Sequence, residues 1–171
     1  ASDVYKRQAI LQLLHDLGAD VQRPCIDGSR PVHAGARDGH DKTVLLLLSL
    51  RAPVDTQDNE GRTPCWEATF RGQPKVLRLL VMHRASFDLP NKQQLTPLYI
   101  AAQENKPECI AILAAAKASI DALTRDGATP ICMAAQFGGG ESVRLLAYLG
   151  ARLTDGDGHL FTCYFQGSWQ G

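Results

Sequence analysis

Asp155-Gly156-Asp157-Gly158 alternates carboxylates with turn-forming glycines, the arrangement that opens a calcium-binding loop. Such a loop, about twelve residues long, also needs an oxygen ligand at its fifth position and a glutamate at its last. His159 and Gln166 stand there, so a solvated turn is expected. Gly138-Gly139-Gly140 has the glycine density of a phosphate cradle, which further requires a preceding strand and a following Lys-Ser or Lys-Thr. Glu141-Ser142 follows instead, which leaves a loose turn. The histidines at 15, 33, 40, 83 and 159 include no pair set four residues apart on one helix, as zinc would use. The cysteines at 25, 65, 109, 132 and 163 contain no Cys-x-x-Cys pair. Cys65, Cys109 and Cys132 occupy apolar positions, where a thiol packs as a small hydrophobe. No nucleophile, base and orienting acid assemble from these residues, so no catalytic residue, cofactor or metal is expected.

The elements that would position such groups are those of an ordinary folded chain, with 44% hydrophobic and 21% charged residues. Eighteen basic residues balance eighteen acidic ones without a run of five like charges, so the attraction that nucleic acid or an anionic membrane requires is missing. The most apolar stretch is seven residues, 44–50, against the roughly 20 that span a bilayer, so no direct membrane insertion is expected. An odd number of cysteines without a disulfide framework points to a reducing, intracellular and cytoplasmic home. Asp3-Val4-Tyr5-Lys6-Arg7-Gln8 resembles the translation of a transposon-end adapter used in preparing sequencing libraries. Residues 1–8 are therefore expected to be a non-native extension, with the natural N-terminus missing.

Self-similarity is the main signal. Prolines recur at 31, 64, 97 and 130, and alanines at 19, 52, 85, 118 and 151, each step being 33 residues. Around the prolines the chain reads Arg30-Pro31-Val32-His33-Ala34-Gly35, Thr63-Pro64-Cys65-Trp66-Glu67-Ala68, Thr96-Pro97-Leu98-Tyr99-Ile100-Ala101 and Thr129-Pro130-Ile131-Cys132-Met133-Ala134. Thr caps the first amides of a helix and Pro suits its first position, so a helix starts at each site. Gly39, Gly72, Asn105 and Gly138 then stop it eight residues on. A second helix follows, with apolar residues at helical spacing: Val44, Leu47 and Leu50; Leu77 and Leu80; Ile110 and Leu113; Val143, Leu146 and Leu149. Loops beginning Ala52-Pro53-Val54-Asp55, Ala85-Ser86-Phe87-Asp88, Ala118-Ser119-Ile120-Asp121 and Ala151-Arg152-Leu153-Thr154 follow, and Asp27-Gly28, Glu60-Gly61 and Asp126-Gly127 form turns before their prolines.

These motifs resemble the ankyrin signature Thr-Pro-Leu-His-x-Ala. The resemblance implies an all-α fold, an ankyrin-repeat solenoid of stacked helix-turn-helix units with β-hairpin finger loops. It implies one array over residues 9–171: a partial repeat at 9–22, full repeats at 23–55, 56–88, 89–121 and 122–154, and a partial repeat at 155–171. Several residues depart from the signature. Arg30 lacks a hydroxyl cap, Gln94 replaces a finger glycine, and Leu160-Phe161 stands where Thr-Pro is expected, disturbing the last copy. His33 alone keeps the signature histidine; Trp66, Tyr99 and Cys132 take its place, so packing is expected to replace the histidine hydrogen-bond network of the family.

The resemblance also implies function: a non-catalytic, monomeric module that holds a protein partner in the groove formed by finger loops and first helices. The groove positions are Ser29, Glu60, Arg62, Lys92, Leu95, Arg125 and Ala128 on the fingers, with Arg37, Asp38, Glu67, Phe70, Arg71, Ile100, Gln103, Glu104, Gln136 and Phe137 on the helices. Phe70, flanked by Arg62 and Arg71, is expected at the centre, because aromatic rings and arginines are enriched among interface hot spots. Two other roles share the same residues: targeting arm of a larger enzyme or channel, such as a kinase or ubiquitin-ligase component, and structural spacer or membrane-skeleton linker.

Overall fold

The computed structural model describes residues 2–153. The expectations for the Asp155–Gly158 turn, His159, Cys163 and the final partial copy lie outside the described residues. Nine helices are found among the described residues, and no strand. The first, α1 (Ser2–Asp16), continues through the segment that resembles an adapter translation. Four short helices start on the periodic prolines: α2 (Pro31–Arg37), α4 (Pro64–Phe70), α6 (Pro97–Gln103) and α8 (Pro130–Gln136). Each has a longer companion: α3 (Asp41–Ser49), α5 (Pro74–Met82), α7 (Pro107–Ala115) and α9 (Gly140–Tyr148).

The chain forms two compact units that divide between Ser86 and Phe87. In the first, α2 packs on α3 and α4 on α5, while α2 stacks on α4 and α1, α3 and α5 stack in succession. In the second, α6 packs on α7 and α8 on α9, and the two pairs stack in the same way. The core follows the 33-residue period. Val44, Leu47, Leu77, Leu80, Ile110, Leu113 and Leu146 are fully buried, as are Ala68, Ala101 and Ala134, and their equivalent in the first full repeat, Gly35, is buried too. Leu50, Val143 and Leu149, expected on the same stripe, are half-buried near the helix ends.

The fingers are tight hairpin turns without extended strands among the described residues. Each is closed by two backbone hydrogen bonds. One spans five residues: Cys25 N–H to Ser29 O at 2.7 Å, Asp58 to Arg62 at 3.0 Å, Asn91 to Leu95 at 3.1 Å and Thr124 to Ala128 at 3.0 Å. The other returns from the tip: Gly28 N–H to Cys25 O, Gly61 to Asp58 and Gln94 to Asn91, each at 2.9 Å, and Gly127 to Thr124 at 3.1 Å. The tip takes a left-handed residue in each of the four described fingers. Gly28, Gly61 and Gly127 supply it with φ of 75°, 76° and 74°, and Gln94 is held there at 64°. On the opposite loops an aspartate latches one repeat to the next. Asp55 accepts the N–H and the hydroxyl of Ser86, both at 2.8 Å, within the first unit. Asp88 accepts Ser119 N–H and Asp121 accepts Arg152 N–H, each at 2.9 Å, within the second.

Gln94→Gly should raise the unfolding free energy by about 0.5 to 1 kcal/mol, since a side chain is disfavoured in the left-handed region. Leu113→Ala should lower it by about 2 to 5 kcal/mol through the cavity left in the second unit. Urea titration of both variants reads the contrast directly.

Candidate functional site

The densest grouping of expected site residues lies on α4 and the finger before it, within the first unit. Thr63 Oγ1 accepts Trp66 N–H at 3.1 Å and Pro64 takes the first helical position, so the start of α4 is held from its own sequence. Trp66 and Phe70 are four residues apart and share a helix face. Their rings stack with centroids 5.3 Å apart and planes inclined by 25°. The guanidinium of Arg71, the residue that ends α4, sits 5.4 Å from the Phe70 centroid in cation–π geometry.

Arg62 closes the finger and carries the polar half of the cluster. Its Nε donates to Asp58 Oδ2 at 2.7 Å, its Nη1 lies 3.4 Å from Glu67 Oε1, and its guanidinium stands 5.9 Å from the Trp66 ring. Asp58 Oδ1 in turn accepts the N–H of Glu60 at 2.9 Å and of Arg62 at 2.8 Å. The backbone of Arg62 is engaged as well, because its carbonyl lies 3.0 Å from His33 Nε2. His33 Nδ1 accepts Arg30 N–H at 3.0 Å. That nitrogen is therefore bare, and Nε2 carries the proton it donates to Arg62. The arginine at position 30 has no hydroxyl to cap α2, and the His33 ring ties its amide instead.

Burial sets the electrostatics. Desolvation pushes the Glu67 carboxyl above the usual carboxylate range, opposed by Arg62, Arg37 and Arg71, whose charges all favour ionisation. Desolvation likewise holds His33 below the ordinary imidazole value, so it stays neutral and keeps its tautomer. At the first finger Asp27 is lowered, chiefly by the Ser29 hydroxyl donating to it at 2.7 Å and then by the Ser29 N–H.

The remaining expected positions divide by unit. In the first, Arg37 pairs with Asp38 at 3.5 Å, Glu60 is exposed, and Ser29 is tied to Asp27 inside its own finger turn. In the second, Phe137 ends α8 with 61% of its surface exposed. There Gln103 donates to Glu104 at 3.1 Å, Arg125 donates to the Lys92 carbonyl at 2.9 Å, and Gln136 is exposed. Leu95 and Ala128 are half-buried with their amides bound within their fingers. Two positions fall inside the protein: Glu67 is 4% exposed and Ile100 is 3% exposed. Both follow their proline by three residues, on the packed side of so short a helix.

Sequence reasoning missed two parts of this region. Asp58 had no assigned role, although Asp at one finger and Asn91 at the next make the same turn, Asn91 Oδ1 accepting Gln93 and Leu95 amides at 3.0 and 2.9 Å. Their 33-residue spacing was the available signal. The second is an apolar cleft of about 390 Å³ lined by Ile10, Leu11, Leu14, Pro31, Thr43 and their neighbours. Leu11 and Leu14 precede Val44 and Leu47 by 33 residues, so they stand in core register. Leu14 nevertheless remains 43% exposed, because no proline-started helix among the described residues covers α1 as α2 covers α3.

At the places of the signature histidine, Trp66, Tyr99 and Cys132 are all buried. Trp66 Nε1 has no hydrogen-bond partner among the described residues, and burial raises the Tyr99 phenol. Cys132 Sγ is paired with the Thr129 hydroxyl, which leaves that threonine without the cap made by Thr63 and Thr96. Among the described residues no cluster of three or more His, Cys, Asp and Glu could hold a metal ion, and no helix is long and apolar enough to cross a membrane. A family model described as ankyrin repeats (3 copies) matches residues 1–91 and again residues 70–157. No curated protein matches the sequence.

Arg62→Ala should lower stability by about 1 to 3 kcal/mol, because two nearly buried carboxylates lose their cation. Chemical denaturation measures this. Stability should also decline as pH falls from about 7 to about 5.5. The reason is the depressed His33: below its ordinary value the unfolded chain binds a proton that the folded chain refuses. His33→Gln should flatten that decline in a pH series of denaturation midpoints.

Proposed function

The chain belongs to the ankyrin-repeat family, and on that premise we propose that it holds a partner protein at the surface built around Phe70. Ankyrin repeats are generally protein–protein interaction modules and typically non-catalytic. The observation that carries the proposal is the identity of Phe70 set against the period. The equivalent positions in the other repeats are Arg37, Gln103 and Gln136, so stacking of repeats does not call for an aromatic ring there. Phe70 is half-buried, stacked on Trp66 and covered on one side by Arg71, a ring already ordered before a partner arrives. Prior ordering lowers the entropy lost on association.

Arg62 and Glu67 support this surface from below. The contacts of Arg62 with Asp58 and with Glu67 fix the finger against α4, so these residues position Phe70 rather than meet the partner first. In the second unit, Phe137 with Gln103, Glu104, Gln136, Lys92 and Arg125 offers further contact positions.

The test is affinity capture of a partner with the whole chain, followed by titration of that partner with Phe70→Ala. Binding should weaken by about 2 kcal/mol or more, as for a hot spot. Stability should fall by only about 1 to 3 kcal/mol, the share of one stacked aromatic pair and a half-buried ring. Unchanged binding with a large loss of stability would make Phe70 a core residue and remove the assignment.

A further inference from the structure

Around Phe70 the charges are layered. The carboxylates lie beneath, the Asp58 side chain being 1% exposed and that of Glu67 6% exposed. The guanidiniums lie outside: Arg62 is 31% exposed, Arg37 is 42% exposed, and Arg71 is exposed. All three act on the single Glu67 carboxylate, so they converge on one region of the first unit. The two side-chain contacts of Arg62, to Asp58 and Glu67, use two of the five N–H donors that a guanidinium carries. An arginine already held in this way is ordered to meet a carboxylate edge-on.

We infer that the segment gripped at Phe70 is acidic and apolar together: a partner peptide carrying a carboxylate next to an aromatic or branched aliphatic side chain. The inference rests on the reading of the Phe70 surface as the binding site. The apolar side chain lies on Phe70, and the carboxylate reaches Arg71 and the outer edge of Arg62. A basic segment is opposed, since it meets the guanidiniums first while Asp58 and Glu67 are out of reach beneath them. Two acids of this region are exposed, Asp38 paired with Arg37 and Glu60 on the finger before Arg62, and each weakens the attraction for the same carboxylate.

The experiment is selection of a displayed random-peptide library on the whole chain, with every enriched peptide re-titrated against Phe70→Ala, Arg71→Glu, Arg71→Gln and Asp38→Asn. Circular dichroism checks that each variant is folded. Peptides that depend on Phe70 should carry Asp or Glu within two residues of an aromatic or branched apolar residue. Their affinity should drop about tenfold in Arg71→Glu, less in Arg71→Gln, and rise in Asp38→Asn, and it should fall as salt is raised. Phe70-dependent peptides that are basic or uncharged and indifferent to Arg71→Glu would overturn the acidic chemistry while leaving the surface in place. Enriched peptides indifferent to Phe70→Ala, or no enrichment, would overturn the surface and this inference with it.

Discussion

A 33-residue unit made of one short and one longer helix has an apolar stripe that it cannot cover by itself, so it folds by stacking on a neighbour. That constraint explains which residues are fixed. Leu47 and Leu80 in the first unit, and Leu113 and Leu146 in the second, recur at the same place because each must be buried where two copies of its own unit stack. The aspartates of the long loops recur for a polar version of the same reason. Asp55 satisfies both the amide and the hydroxyl of Ser86, and Asp88 and Asp121 satisfy the equivalent amides of their successors. Buried leucines hold one edge of the stack and carboxylate latches hold another.

Positions that stacking leaves unconstrained are the ones able to differ between repeats. In the first unit the finger of the second full repeat uses this freedom to build a connected group: His33 ties the Arg62 carbonyl, Asp58 and Glu67 tie its side chain, and the Trp66 ring lies alongside. Each contact is modest, yet together they immobilise the finger against α4 and fix the ring of Phe70 above it. The same burial raises Glu67 and lowers His33, so the two groups respond to pH with opposite signs. As the medium becomes more acidic, His33 costs stability because it resists protonation, whereas Glu67 is relieved by it.

The repeat, the helix starts and the core stripe were legible because they rest on strict spacing and on residue types with one dominant local preference. Proline, glycine and asparagine marked both ends of the short helices, and Asn105 adopts the left-handed conformation with φ of 48°, as Gly39, Gly72 and Gly138 do. Less was legible where tertiary context overrules preference. Arg51, Arg84 and Lys117 end the long helices in the left-handed region, at 63°, 62° and 69°, without a residue type that favours it. Glu67 and Ile100 read as groove positions, yet the helix is too short to turn them outward. Arg62 was legible as a surface arginine beside Phe70. Its anchoring depends on Asp58 and on the His33 of the preceding repeat, 29 residues away, which local pattern does not report.

A binding surface on the finger and short helix of one repeat makes a spatial statement about where a partner touches the chain. Amide hydrogen exchange of the whole protein, with and without a captured partner, tests it most directly. Bound partner should add protection over residues 58–71, centred on the finger tip and the end of α4, with little change on α3 and α5. Protection confined to the long helices, with residues 58–71 exchanging as in the free chain, would contradict it.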